Sequence, residues 1–145
     1  MVPRFAAWIG RTGAELTWVV ETGHLRRFAE AAGETDPMYF DEAAALVAGH
    51  RAIPALPTFA VALRAPDPRE GLDLDWHKLL HAEQELLLDR TIYAGDRITV
   101  VGRMAEAWVK EGKSGTLDFL TIETVGTDSD GRRVFASRST VAVRR

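Results

Sequence analysis

Residues 97–144 read RITVVGRMAEAWVKEGKSGTLDFLTIETVGTDSDGRRVFASRSTVAVR. Three runs in this stretch, Arg97 to Lys110, Thr116 to Thr127 and Val134 to Arg144, read as strands because β-branched and aromatic residues crowd them. The separators carry turn chemistry: Gly112-Lys113-Ser114-Gly115 between the first two and Asp130-Gly131 between the last two. An Asp-Gly pair is a hairpin signal because both positions tolerate positive φ. Strands joined this closely run antiparallel, since a parallel return needs a dozen or more residues.

Working outward, Glu83 to Arg90 reads as a fourth strand, set off by Gly95-Asp96. Arg69 to His77 is a polar, irregular excursion. Ile53 to Leu63 is apolar on most sides. Pro57 suits the first turn of a helix, where its missing N–H costs nothing, and a helix apolar all round belongs in a buried centre. Pro66-Asp67-Pro68 closes it. Further back, Leu16, Trp18 and Val20 alternate with Thr17, Val19 and Glu21 as a short strand does. Thr22 is the expected cap of a helix whose apolar stripe is Leu25, Phe28, Ala29 and Ala32, with Gly33 as its left-handed stop. Glu34-Thr35-Asp36-Pro37 is a turn. Asp41 caps a second short helix that carries Ala44, Ala45, Leu46 and Ala48 and ends at Gly49. One buried helix and an antiparallel sheet make an α+β layout, with the sheet wrapped around the helix. The expected organisation is a single domain over 1–145.

Composition narrows the function. The chain has 145 residues, enough to bury a core without staples, and is 46% hydrophobic and 27% charged. A net charge of −3 is too mild for a nucleic-acid or membrane surface, so neither is an expected partner. With no cysteine, disulfides, thiolate metal sites and a cysteine nucleophile are excluded. Met1 to Gly13 contains Arg4 and Arg11 and no long apolar run, so it does not read as a signal peptide, and the expected location is cytoplasmic. No glycine-rich nucleotide fingerprint occurs, and Ser114, Ser137 and Ser139 lack the spacing of a nucleophile elbow. Gly102 inside a strand predicts a bulge or a close backbone approach.

The segment Gly33-Glu34-Thr35-Asp36-Pro37-Met38-Tyr39-Phe40-Asp41 resembles the hydratase motif of MaoC-like (R)-specific enoyl-thioester hydratases, Gly-Asp-x-Asn-Pro-apolar-His-x-Asp followed by alanines and a glycine. Gly33, Pro37, Met38, Asp41, Ala45 and Gly49 fall in register. Ile53-Pro54-Ala55-Leu56-Pro57-Thr58-Phe59 resembles the start of that family's central helix. Leu80-His81-Ala82-Glu83-Gln84-Glu85 and Tyr93-Ala94-Gly95-Asp96-Arg97 resemble its strands. The likeness covers nearly the whole chain and is nearest to the N-terminal, FAS1-like, often non-catalytic half of double-hotdog or two-subunit (R)-3-hydroxyacyl-thioester dehydratases. The resemblance implies a hotdog fold, an acyl thioester on CoA or acyl carrier protein as substrate and reversible hydration of a 2-enoyl thioester; no cofactor and no metal is expected. It also implies a homodimer or a heterodimer with a second hotdog subunit.

The departures from the motif matter for chemistry. A base must activate water toward the β-carbon, and donors must stabilise the enolate oxygen of the thioester. The motif Asp corresponds to Glu34, the Asn to Asp36 and the His to Tyr39. A phenol has a reference pKa of about 10 against about 6.5 for imidazole, so at neutral pH it donates and does not act as a base. The family's His-Gly pair at the helix start corresponds to Leu56-Pro57, and Pro57 has no N–H to offer. The candidate catalytic residues are therefore Glu34 and Tyr39. Glu34 reads either as the surviving acid/base or as a solvated turn residue. Asp36, Phe40, His50, Pro57 and the backbone N–H groups of Thr58 and Phe59 are the candidates for binding substrate. Asp36 serves turn chemistry equally well, and Tyr39 and Phe40 line an acyl channel or pack as core aromatics. His24 is expected to be exposed. His77 and His81 lack the partners of a zinc motif, and His81 is expected to open a strand and bond to backbone. The chain reads as a hydratase/dehydratase-family domain acting with a catalytic hotdog partner. A hotdog thioesterase and a non-enzymatic acyl-binding or scaffolding subunit remain open.

Overall fold

The structure, a computed structural model, describes residues 2–112 and 115–145. Five strands, β1 (Leu16–Val19), β2 (Leu79–Leu88), β3 (Arg97–Gly112), β4 (Gly115–Thr127) and β5 (Arg133–Arg144), form one sheet in the order β1-β3-β4-β5-β2. Every pairing is antiparallel. Short turns between β3, β4 and β5 make these the central strands, as the turn residues require. Lys113 and Ser114 of the first turn lie outside the described residues. β2 starts at Leu79, ahead of the expected Glu83. A register shift between His81 and Glu83 breaks the two-residue alternation and hides that start in the sequence.

Two helices lie in the first half: α1 (Thr22–Ala31) and α2 (Glu42–Val47). Thr22 is the first helical residue of α1, with Glu21 at the cap position and no side-chain cap bond, so the expected Thr22 cap is not made. Gly33 takes φ 75° after α1, and Glu34 N–H reaches back to the Ala29 carbonyl at 2.9 Å. Asp41 Oδ1 accepts from Ala44 N–H at 2.8 Å and caps α2 as expected.

The segment expected as a long buried helix, Ile53 to Leu63, is a 3-10 helix over Pro57–Ala62 only. Its residues 53–55 are extended instead. Ala55 N–H donates to the Ile92 carbonyl at 2.7 Å, and Ala94 N–H donates to the Ile53 carbonyl at 3.0 Å. Prolines explain the shortening. Ile53, Leu56 and Ala65 each precede a proline, which disfavours helical backbone at those positions, and Leu56 is held at φ −56°, ψ 143°.

The inner face of the sheet carries two separate apolar clusters. The larger gathers Val20, Leu25, Ile53, Phe59, Ile98 and Phe135. The smaller gathers Phe5, Leu74, Met104, Leu120 and Val143. Phe59 is 0% exposed, with Phe28 edge-on at 5.4 Å and His24 edge-on at 4.9 Å between ring centroids. His24 is thus half-buried against an aromatic rather than exposed. Trp18 Nε1 donates to the Arg64 carbonyl at 3.0 Å and ties β1 to the end of the 3-10 segment. Gly102 meets the close approach expected of it: a Cβ there would sit 3.3 Å from Pro68 Cδ and 3.6 Å from Ala65 Cβ. The strand irregularity itself falls later, between Met104 and Glu106.

Candidate functional site

The motif loop follows from two caps. After the Gly33 reversal, Glu34 folds back on its own turn, and its Oε1 accepts from Thr35 N–H at 2.8 Å and Asp36 N–H at 3.0 Å. Asp36 Oδ1 accepts from Met38 N–H at 3.0 Å and starts a 3-10 turn over Pro37–Tyr39. That turn packs against α2 and α1. Glu34, Asp36 and Tyr39 are therefore brought together. Partial burial, reinforced by the negative charges of Glu34 and Asp36, raises the Tyr39 phenol above its ordinary value. The phenol stays protonated at neutral pH and can donate a hydrogen bond, but it cannot take a proton from water. Phe40 is half-buried, and its carbonyl accepts from Arg26 Nε at 2.7 Å.

A second group forms where the extended 53–55 segment meets 92–94. His50 Nδ1 lies 3.1 Å from the Tyr93 hydroxyl. The Arg51 guanidinium lies over the Tyr93 ring, 4.5 Å from its centroid. Beneath them Asp96, 8% exposed, receives Arg51 Nη2 at 2.7 Å, Arg90 Nη1 at 2.6 Å and Tyr93 N–H at 2.9 Å. Burial alone would raise the Asp96 carboxyl, but the hydrogen bonds from Arg90, Tyr93 N–H and Arg51 outweigh it and hold the group below its usual range. Arg51, Arg90, Tyr93 and Asp96 went unrecognised as a network in the sequence. The available sign was Arg90 just ahead of the Tyr93-Ala94-Gly95-Asp96 turn; Arg51 lies far upstream in the sequence and gave none.

Two cavities border the 3-10 segment. One of about 240 Å³ lies at its start and is lined by Ala55, Leu56, Pro57, Leu88, Arg90 and Thr91, among others. The other, about 520 Å³, lies at its end against the inner face of the sheet. Of the residues expected at the helix start, Pro57 faces the smaller cavity. Phe59 does not serve as a donor there: its N–H is bonded to the Leu56 carbonyl at 2.9 Å, and its ring fills the core. Thr58 is exposed and is not part of the lining of that cavity. His77 sits in a 3-10 turn over Trp76–Lys78 and His81 on β2. His81 bonds to side chains rather than backbone: its Nε2 lies 3.3 Å from Ser139 Oγ and 3.4 Å from Gln84 Oε1. Among the described residues, no helix is long and apolar enough to cross a membrane.

Residues 7–137 match the family model described as the FAS1-like, dehydratase domain region. A UPF0336 protein of Saccharopolyspora erythraea is 35% identical over 127 residues, covering 83% of this chain and 78% of the relative. A UPF0336 protein of Leifsonia xyli is 31% identical over 153 residues, covering 99% and 98%. Among solved structures, the HadBC (3R-hydroxyacyl-ACP dehydratase) complex of Mycobacterium tuberculosis superposes with a TM-score of 0.75 at 22% identity, covering 92% of this chain and 96% of that one. The ChsH1-ChsH2 complex of the same organism gives 0.76 at 19% identity, covering 92% and 84%. These likenesses carry the fold, a hotdog α+β architecture.

Proposed function

Given that this chain belongs to the FAS1-like dehydratase-region family of MaoC-like hotdog domains, we propose that it is the acyl-binding half of a 2-enoyl-thioester hydratase/dehydratase whose acid/base pair sits on a second hotdog subunit. The observation that carries this reading is the state of the motif loop. Hydration needs a group that removes a proton from water as its oxygen attacks C3 and a group that returns a proton to C2. Here the Glu34 carboxylate is held by two N–H groups of its own turn. Tyr39, where the motif has histidine, is a phenol whose acidity is weakened further by burial and by Glu34.

What the chain supplies is a surface. The smaller cavity at Pro57 receives the thioester end, and the acyl chain runs along the 3-10 segment toward the larger cavity. A second sheet has a place to dock: β2 has β5 as its one neighbour in the sheet, so its far edge presents backbone groups suited to another strand. The assembly of two different hotdog chains in HadBC and ChsH1-ChsH2 supports the same arrangement.

The test follows loss of the conjugated-thioester absorbance of enoyl-CoA substrates. The purified chain alone is expected to be inactive, and addition of a hotdog subunit with an intact Asp/His pair is expected to give turnover. In that complex Glu34→Gln leaves kcat within about twofold. Robust hydration by the isolated chain, abolished by Glu34→Gln, would overturn the proposal. Release of free thiol from acyl-CoA would favour a thioesterase instead.

A further inference from the structure

The larger cavity separates the two apolar clusters, and polar side chains interrupt its otherwise apolar lining. Along β5 the inner-face positions run Phe135, Ser137, Ser139, Val141, Val143, so the apolar ends belong to the two clusters and the two serines fall between them. Register carries the stripe across the sheet. Gly102 pairs with Thr124, and Thr124 with Ser137. In the next row Ile122 pairs with Ser139, and Ser139 with Gln84. Gly102, Thr124, Ser137, Ser139, Gln84 and His81 all line the cavity. An alkyl chain gains most from an apolar wall, and a polar group desolvated without a hydrogen-bond partner is unfavourable by about 1–3 kcal/mol. Ser139, His81 and Gln84 bond one another, so the hydroxyls of Thr124 and Ser137 are the groups that plain methylene groups would leave unpaired.

The wall opposite carries a guanidinium side chain. Arg69 comes from the proline-rich loop that passes over Gly102 and lines the same cavity. Its side chain is 13% exposed and is paired with Asp67, Nη2 to Oδ2 at 2.8 Å. Its Nη1 is buried and has no hydrogen-bond partner among the described residues. Asp67 neutralises the charge of Arg69, so this wall offers no net positive charge to attract a carboxylate. The serine hydroxyls and Gln84 can both donate and accept, which suits a hydroxyl or a ketone.

The geometry points to an oxygen-recognising subsite: the larger cavity takes the distal part of an acyl group that carries a hydroxyl or keto oxygen, rather than an unadorned alkyl chain. This rests on the acyl-binding reading above. The two cavities sit at opposite ends of Pro57–Ala62. Six residues of 3-10 helix span roughly 12 Å, so the oxygen lies well away from the thioester.

The test compares binding to the full chain, by titration calorimetry, of octadecanoyl-CoA and of a hydroxyoctadecanoyl-CoA with its hydroxyl in the distal half of the chain. The hydroxylated ligand is expected to bind about tenfold more tightly, a difference of about 1.4 kcal/mol. The double substitution Ser137→Ala with Ser139→Ala is expected to bring the ratio close to one. Equal binding of both ligands to the unmodified chain overturns the subsite and leaves the acyl-binding reading standing. Binding of neither overturns both. A preference that survives loss of both serine hydroxyls overturns the assignment to this cavity.

Discussion

Asp96 accepts from two guanidinium groups and a backbone N–H while nearly sealed from solvent. Its folded pKa lies below the unfolded value of about 3.9. The stabilisation from the ionised group is therefore fully present above that unfolded value and is lost as pH falls through the lower folded one. Asp96→Asn is expected to lower stability at pH 7 by about 1–3 kcal/mol, the cost of leaving buried donors poorly matched, and to narrow its deficit at pH 3. Urea midpoints at both pH values check this, and an equal deficit at the two would refute the linkage. At the same scale, the replacement of the motif His by Tyr39 was legible as a letter in the sequence. The engagement of the Glu34 carboxylate was not, because it depends on the angle at which the chain leaves Gly33.

Strands declare themselves through alternation and turns through their residues, and so β3, β4 and β5 are legible nearly end to end. The start of β2 is not, since the shift at His81/Glu83 moves the inner-face positions by one. The 3-10 segment misleads for another reason. Its apolar composition reports burial, which is true of Phe59, Ala60 and Leu63, but burial does not specify helix type. The prolines around it limit where a helix can start and stop. Between β4 and β5, Gly126 pairs with Phe135, and a Cβ at Gly126 would run into the Phe135 ring. Gly126→Ala is expected to destabilise by about 1–3 kcal/mol through overpacking, read as a lowered Tm. An unchanged Tm would mean that the ring has another place to go.

For the whole molecule, β2 is an outer strand with Leu80 58% and Leu87 50% exposed. Open edges of this length invite a partner strand. The chain is expected to sediment as an assembly larger than a monomer, alone or with the partner subunit proposed above. Leu87→Glu is expected to weaken that assembly by about tenfold, since a carboxylate beside a docked strand must be desolvated. Sedimentation of the variant identical to that of the parent would place the seam elsewhere.

Local chemistry in the sequence determined the antiparallel strands, their turns, the α2 cap and the loss of the motif histidine, because each depends on residues within a few positions of one another. The tertiary structure alone decided that Asp96 joins Arg51 to Arg90, and that Ser137, Ser139, Gln84 and Arg69 line one cavity. Those residues meet only through strand pairing and loop packing between distant parts of the chain, and no local pattern encodes a register that two separate strands must agree on.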